Sequence, residues 1–204
     1  MNRIGLLLLI VACHDAGSAT VDAADSRGPG LFVTWQADPM VPGPQTANVT
    51  LTDVTFGVDR LEVQSDADGH TTRSRFPLIW SAAGAPAPEE FPDAPSGLYS
   101  RVAITLGGFY ADAYQLRGTW VDNGKSRPFE IRDRLTLKAS LEMSQPLAAG
   151  GAATIEIAVR LADAVAGVDF RRLHDLDGVL VMFTGDPQLL GLRARLASAF
   201  RLAD

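Results

Sequence analysis

The chain has 204 residues, 47% of them hydrophobic and 21% charged, with a formal net charge of −6 and one cysteine. This balance excludes a disordered acidic tail and a fibrous repeat, and an acidic chain is poorly suited to coating nucleic acid. A single cysteine also excludes an internal disulfide framework, a zinc site built on paired cysteines and a Cys-x-x-Cys redox centre.

The first elements in chain order are targeting signals. Arg3 gives a short positive region, and Ile4 to Ala12 form an apolar stretch. As a helix this stretch reaches only about 13 Å, against about 30 Å of hydrocarbon, so residues 1–12 read as an export signal and not as a membrane span. Its end, Ile10-Val11-Ala12-Cys13, is aliphatic, small aliphatic, small, cysteine. That order resembles the lipobox of bacterial lipoproteins. The resemblance implies cleavage before Cys13, lipid on its thiol and new amino group, and attachment to a membrane of the bacterial cell envelope. In that family the residues after the cysteine help choose the membrane, and His14-Asp15 lean towards the outer one. The alternative is a cut after Ala19, which would discard Cys13. Cleavage before Cys13 removes Arg3 and leaves 192 residues with a net charge of −7.

Residues 13–30 are rich in Ala, Gly, Ser and Asp and lack periodicity, which reads as a flexible tether. A tether of this length sets a domain roughly 20–25 Å from its lipid. The body, residues 31–204, is mostly strands. Its fold class is an all-β, antiparallel β-sandwich with a C-terminal helix, because period-two apolar patterns recur and no long helices separate them.

Within Val49 to Val63 the alternation breaks twice. Val49 and Leu51 share one phase, Val54, Phe56 and Val58 the other, and Leu61 and Val63 the first again. This predicts bulges near Thr52-Asp53 and Asp59-Arg60, of the kind that let a strand cross between sheets. The irregular Ser81–Ser96 segment, with Glu89-Glu90 among prolines, is the longest loop expected in the body and the first place to seek a partner surface. Leu98, Val102, Ile104 and Leu106 read as an inward face, with Tyr99, Arg101, Ala103 and Thr105 on the reverse.

Asn123-Gly124 predicts a type I′ hairpin. A two-residue loop pairs Asp122 with Lys125, Arg117 with Glu130, Leu116 with Ile131 and Gly118 with Phe129. Trp120 then faces Arg127, an arrangement open to a cation–π contact. Pro128 lacks an amide proton and should sit at an edge or a solvent-facing position. Leu135, Leu137, Ala139, Leu141 and Met143 form another inward series, as do Ile155, Ile157, Val159 and Leu161.

A helical turn is expected around Asp163–Val168, and Val179–Phe183 reads as the last strand. Asp186-Pro187 then caps a helix carrying Leu189, Leu192, Leu196 and Phe200 on one face, with Arg193, Arg195 and Arg201 elsewhere. The simplest role is a helix lying over the sheets; the other is a basic amphipathic helix on anionic headgroups.

Candidate chemistry is sparse. Asp66-Ala67-Asp68-Gly69 and Asp175-Leu176-Asp177-Gly178 share the opening of a calcium loop but lack its third carboxylate and bidentate Glu, so they read as tight turns. A transition-metal site would need His70 and His174 to meet. Trp35, Trp80 and Trp120 could stack sugars, but each lies in a strand pattern and reads as core. No hydrolase, phosphate-loop or dinucleotide motif is present. No catalytic residue, metal ligand or cofactor is therefore assigned, and Cys13 is the one site residue.

The series Pro95-Ser96-Gly97-Leu98-Tyr99-Ser100-Arg101-Val102, Tyr114-Gln115-Leu116-Arg117-Gly118 and Phe129-Glu130-Ile131 resembles uncharacterised bacterial lipoprotein domains with a transthyretin-like β-sandwich. The resemblance spans roughly residues 31–170 and implies no catalytic residues. The expectation is a non-enzymatic, lipid-anchored envelope protein, held to the membrane through its lipid, with an envelope protein or glycan as partner and no nucleic acid. The alternative is an extracytoplasmic metal-binding accessory protein or an enzyme whose site leaves no motif.

Overall fold

The computed structural model describes residues 28–66, 69–108 and 112–203. The signal, Cys13 and nearly all of the tether lie outside the described residues. The first half of the body forms β1 (Gly30–Asp38), β2 (Gly43–Pro44), β3 (Val49–Ser65), β4 (His70–Trp80), β5 (Glu89–Phe91), β6 (Gly97–Leu106) and β7 (Tyr114–Asp122). There follow β8 (Lys125–Asp133), β9 (Leu137–Leu147), β10 (Ala152–Arg160), α1 (Leu161–Ala166), β11 (His174–Leu176), β12 (Val179–Met182), α2 (Gln188–Ala199) and β13 (Phe200–Leu202). The strands make two sheets, so the body is an all-β sandwich with a C-terminal helix.

The smaller sheet has the order β13-β10-β1-β5. Its outer strands are three residues each and cover three positions of β1 and three of β10. The larger sheet runs β11-β12-β8-β7-β3-β6-β9, with β2 and β4 also bonded to β3. Most ladders are antiparallel. Two are parallel, β1 with β10 and β8 with β12, and each joins strands far apart in sequence rather than consecutive βαβ neighbours.

Strand β3 carries both expected bulges, with register shifts between Leu51 and Asp53 and between Val58 and Arg60. Each bulge adds one residue and so restores the phase. Val49, Leu51, Val54, Phe56, Val58, Leu61 and Val63 are consequently all buried. The strand does not cross between sheets. Instead it serves two sets of neighbours: Val54–Phe56 pair with both β4 and β7, whereas Val58 and Arg60–Gln64 pair with both β4 and β6. A strand has two edges, so β7 and β6 occupy the same edge in succession. Gly57 marks the fork, donating to Ala113 O (3.0 Å) and accepting from Gly107 N (2.8 Å).

The hairpin of β7 and β8 has the register expected from Asn123-Gly124 at every pair. Both loop residues have positive φ, 48° and 79°, as a type I′ turn requires. Pro128 is exposed and stands one residue before the β12 ladder begins at Phe129. Trp120 does not meet Arg127 through its ring; it stacks on Phe170 with centroids 5.6 Å apart, and Arg127 pairs with Asp175 instead.

Other positions depart from strict alternation. A register shift between Tyr99 and Arg101 turns Tyr99 into the core, its hydroxyl donating to Pro95 O at 2.8 Å, and leaves Leu98 41% exposed. Leu135 precedes β9 and is 51% exposed. Leu161 is buried but opens α1. The Ser81–Ser96 segment is not wholly irregular, because β5 lies within it and pairs with β1. Val179–Met182 is not the last strand, since Phe200 leaves the helix to begin β13 on the edge of β10.

The cap on α2 is as the sequence suggests. The Asp186 carboxylate accepts from Gln188 N at 2.8 Å with Pro187 between them. Leu189, Leu192 and Leu196 are fully buried, and the helix packs on β9, β10 and β13. Its arginines turn inward as well: Arg195 Nε donates to Ala164 O at 3.0 Å across Gly167, and Arg193 reaches the larger sheet. A helix so engaged lies over the sheets.

Gly118, opposite Phe129 and beside the first bulge, has no room for a side chain. A Cβ there would overlap the Thr50 carbonyl oxygen and lie 3.0 Å from Phe129 Cζ. Backbone cannot yield as a flexible side chain does, so Gly118→Ala is expected to cost about 3 kcal/mol. Urea denaturation checks this; a loss below about 0.5 kcal/mol would mean that the β3–β7 approach is looser than described.

Candidate functional site

The residue that organises the most polar part of the interior is Asp133, the last of β8. It follows Phe129 and Ile131 on the inward face and is completely buried. Register places Tyr114, the first residue of β7, beside it, and the Tyr114 hydroxyl donates to Asp133 Oδ2 at 3.2 Å. Arg193 comes from α2 and grips the carboxylate with two nitrogens, Nε on Oδ2 and Nη2 on Oδ1, the latter at 2.9 Å. Thr184 Oγ1 donates to Oδ1 at 3.1 Å, and Leu135 N does so at 3.2 Å. Thr184 Oγ1 also accepts from Arg134 N at 2.9 Å.

The electrostatics follow from this geometry. Burial alone would raise the Asp133 pKa; the hydrogen bonds from Arg193, Leu135 and Thr184, with the arginine charge, outweigh it and hold the carboxyl below its usual value. The Arg193 pKa is raised, chiefly by its hydrogen bond to Asp133. Burial, with Asp133 beside it, pushes the Tyr114 hydroxyl up. Both carboxylate oxygens are saturated with donors, so Asp133 has no free lone pair for a substrate proton. The cluster ties β7, β8, the turn after β12 and α2 together.

Against this cluster lies a cavity of about 380 Å³, lined by Asp112, Arg132, Arg134, Phe183 and Thr184. The Arg132 guanidinium stands 5.4 Å from the Phe183 ring centre. Its Nε is 2.7 Å from Glu130 Oε1 but without hydrogen-bond alignment. The same Oε1 receives Gln115 Nε2 and, at 3.4 Å, Arg117 Nη2. Arg134 faces Asp112 at 3.6 Å.

The residues singled out from sequence do not converge. Cys13 lies outside the described residues. So do Ala67 and Asp68, the middle of the first Asp-x-Asp-Gly turn. In the second turn, Asp177-Gly178 forms the two-residue loop between β11 and β12, and Asp175 accepts from Gly178 N at 2.8 Å while pairing with Arg127. His70 on β4 and His174 on β11 have four strands between them, a separation on the order of 20 Å. Among the described residues no group of three or more His, Cys, Asp or Glu could hold a metal ion.

Glu89 and Glu90 are adjacent on β5 and so point to opposite faces. Burial raises the Glu89 pKa, and Arg73 at 3.2 Å pulls it back. Trp35 and Trp80 are buried, and the face of Trp120 is taken by Phe170, so the three do not make a stacking platform. Among the described residues no helix is long and apolar enough to cross a membrane. Sequence reasoning missed Asp133 and Arg193. The available signal was a carboxylate in phase with Phe129 and Ile131, because a charge on an inward face demands a buried partner. Comparison with protein families, curated proteins and solved structures finds no match to this chain.

Replacing Arg193 with Ala leaves a buried carboxylate unpaired, at an expected cost of about 3 kcal/mol near neutral pH. In the wild type the depressed Asp133 pKa contributes stability that is present above the unfolded value of about 3.9 and is lost as pH falls through the folded one. In Arg193→Ala, burial favours the protonated acid. The stability gap between the two proteins should therefore narrow as pH drops from 7 towards about 4. Thermal unfolding across that range measures it, and a constant gap would contradict the ion-pair account.

Proposed function

We propose that this chain is a lipid-anchored protein of the bacterial cell envelope that presents a β-sandwich as a non-enzymatic binding or assembly module. The observation that carries this reading is the position of the one cysteine, which closes the lipobox-like Ile10-Val11-Ala12-Cys13. The first described strand begins at Gly30, which leaves a spacer between the anchoring residue and the sandwich. Several acyl chains on one cysteine hold a protein to a membrane almost permanently, since each buried CH₂ contributes about 0.8 kcal/mol. The lean towards the outer membrane belongs to this proposal and rests on His14-Asp15.

The bonding of the Asp133 cluster supports the non-enzymatic reading. Three ionisable groups with shifted pKa values, Asp133, Tyr114 and Arg193, are bonded to one another. A carboxylate used in acid–base chemistry needs a vacant position towards substrate, and Asp133 has none. The partner of the module is an envelope protein or a glycan.

Metabolic labelling with an alkyne fatty acid tests the anchor. The wild-type chain should take up label and partition with membranes, whereas Cys13→Ala should do neither. Absence of label on the wild type, or label that survives the substitution, overturns the proposal.

A further inference from the structure

The cavity beside Asp133 has a charge imbalance that points to a ligand. Arg117 and Arg132 share a single carboxylate, and both approach one oxygen of Glu130. Arg134 has Asp112, and Arg193 has Asp133. Among the described residues that line the cavity, two guanidinium groups, Arg132 and Arg134, stand with one carboxylate, Asp112, in a chain whose net charge is −6. The surplus sits at the cavity, because Arg132 lines it and its Nε makes no aligned hydrogen bond to Glu130.

The walls narrow the ligand class. Arg132 and Arg134 occupy alternate positions on and just beyond the end of β8, so they project to the same side. Two forked donors with fixed planes match the two oxygens of a carboxylate or phosphate better than a spherical ion. Phe183 contributes an aromatic wall that is 40% exposed, with the Arg132 guanidinium 5.4 Å from its ring centre. The Thr184 hydroxyl and Arg134 amide at the floor are already bonded to each other and to Asp133, which keeps the floor rigid. At about 380 Å³ the cavity is near the lower end of small-molecule sites.

The geometry points to a binding site for a small organic anion, a carboxylate or phosphate monoester carried on an apolar or aromatic body. The anionic head meets Arg132 and Arg134, and the body lies against Phe183. This inference rests on the reading of the domain as a binding module and not on its lipid, so a failure of Cys13 labelling would leave it standing. It also differs from a site for free inorganic ions, because it requires the apolar wall.

Calorimetric titration of the full chain, purified in mild detergent, tests it with benzoate and phenyl phosphate as probes. Acetate, inorganic phosphate and neutral benzamide serve as comparisons. Saturable heat with benzoate or phenyl phosphate at millimolar concentration or below, weakened by added salt, is the expected result, and the tighter of the two identifies the head group. Arg132→Gln and Arg134→Gln should each weaken binding about tenfold, and Phe183→Ala should bring the aromatic probes down to the level of acetate or inorganic phosphate. The Arg134 side chain is 70% exposed, so that variant is available even if Arg132→Gln fails to fold. No saturable heat, undiminished affinity in Arg134→Gln, or benzamide binding as well as benzoate would each overturn the inference.

Discussion

Strict alternation along a pleated strand would turn Val54, Phe56 and Val58 away from the core that Val49, Leu51, Leu61 and Val63 share. The two bulges in β3 cancel that alternation and keep all seven side chains on one side. Each of the three residues would otherwise forgo about 1.5–3 kcal/mol of burial, so the bulges are a condition of stability and not a local ornament. They also bend the strand, which lets β7 and β6 follow one another along a single edge. The hairpin with Asp133 at its end hangs from the first of these partners. The site therefore depends on a feature some eighty residues earlier in the chain.

A second layer of order comes from polar contacts that fasten α2 to its surroundings. Arg193 joins the helix to the larger sheet through Asp133, and Arg195 joins it to α1 through the Ala164 carbonyl. Gly167 leaves the space that the Arg195 guanidinium fills. Three leucines supply the apolar attachment, and the two arginines fix where along the sheet the helix sits. Burial is nondirectional and carries most of the energy; charge-assisted hydrogen bonds are directional and select the arrangement.

Local patterns in the sequence were the legible part of this structure. The β7–β8 hairpin was readable because a two-residue loop leaves one register, and Asn123-Gly124 supplies the positive φ values that the loop needs. The bulges of β3 were readable because a phase change in apolar residues has few other causes. Tyr99 and Leu98 exchanged their expected faces because the bulge there leaves no trace in a mixed run of Leu, Tyr, Ser and Arg. The parallel pairing of β1 with β10 was beyond reach, since it depends on contacts between segments with no shared local signal. The Asp133 cluster was missed for a related reason: its members come from four separate parts of the chain, and only Asp133, in phase with Phe129 and Ile131, carries a local sign of burial. The lipobox-like run that ends at Cys13 stands apart, because the role proposed for it depends on recognition by other proteins and not on the fold.

The smaller sheet has a consequence for the order in which the molecule can form. Its ladders join Gly30 to Ala152, Leu31 to Phe91 and Val159 to Phe200, so no ladder links strands adjacent in the chain. A chain emerging from its N-terminus cannot complete β1 until β10 has arrived, 122 positions later. Closure of the β10 edge waits for β13, at Phe200–Leu202. Loop-closure entropy must be overcome before these contacts form, which places such topologies among the slower folders. During most of that interval the run Leu31-Phe32-Val33, later buried, has β5 but not β10 to pair with. The first strand to be made is among the last to be sheltered.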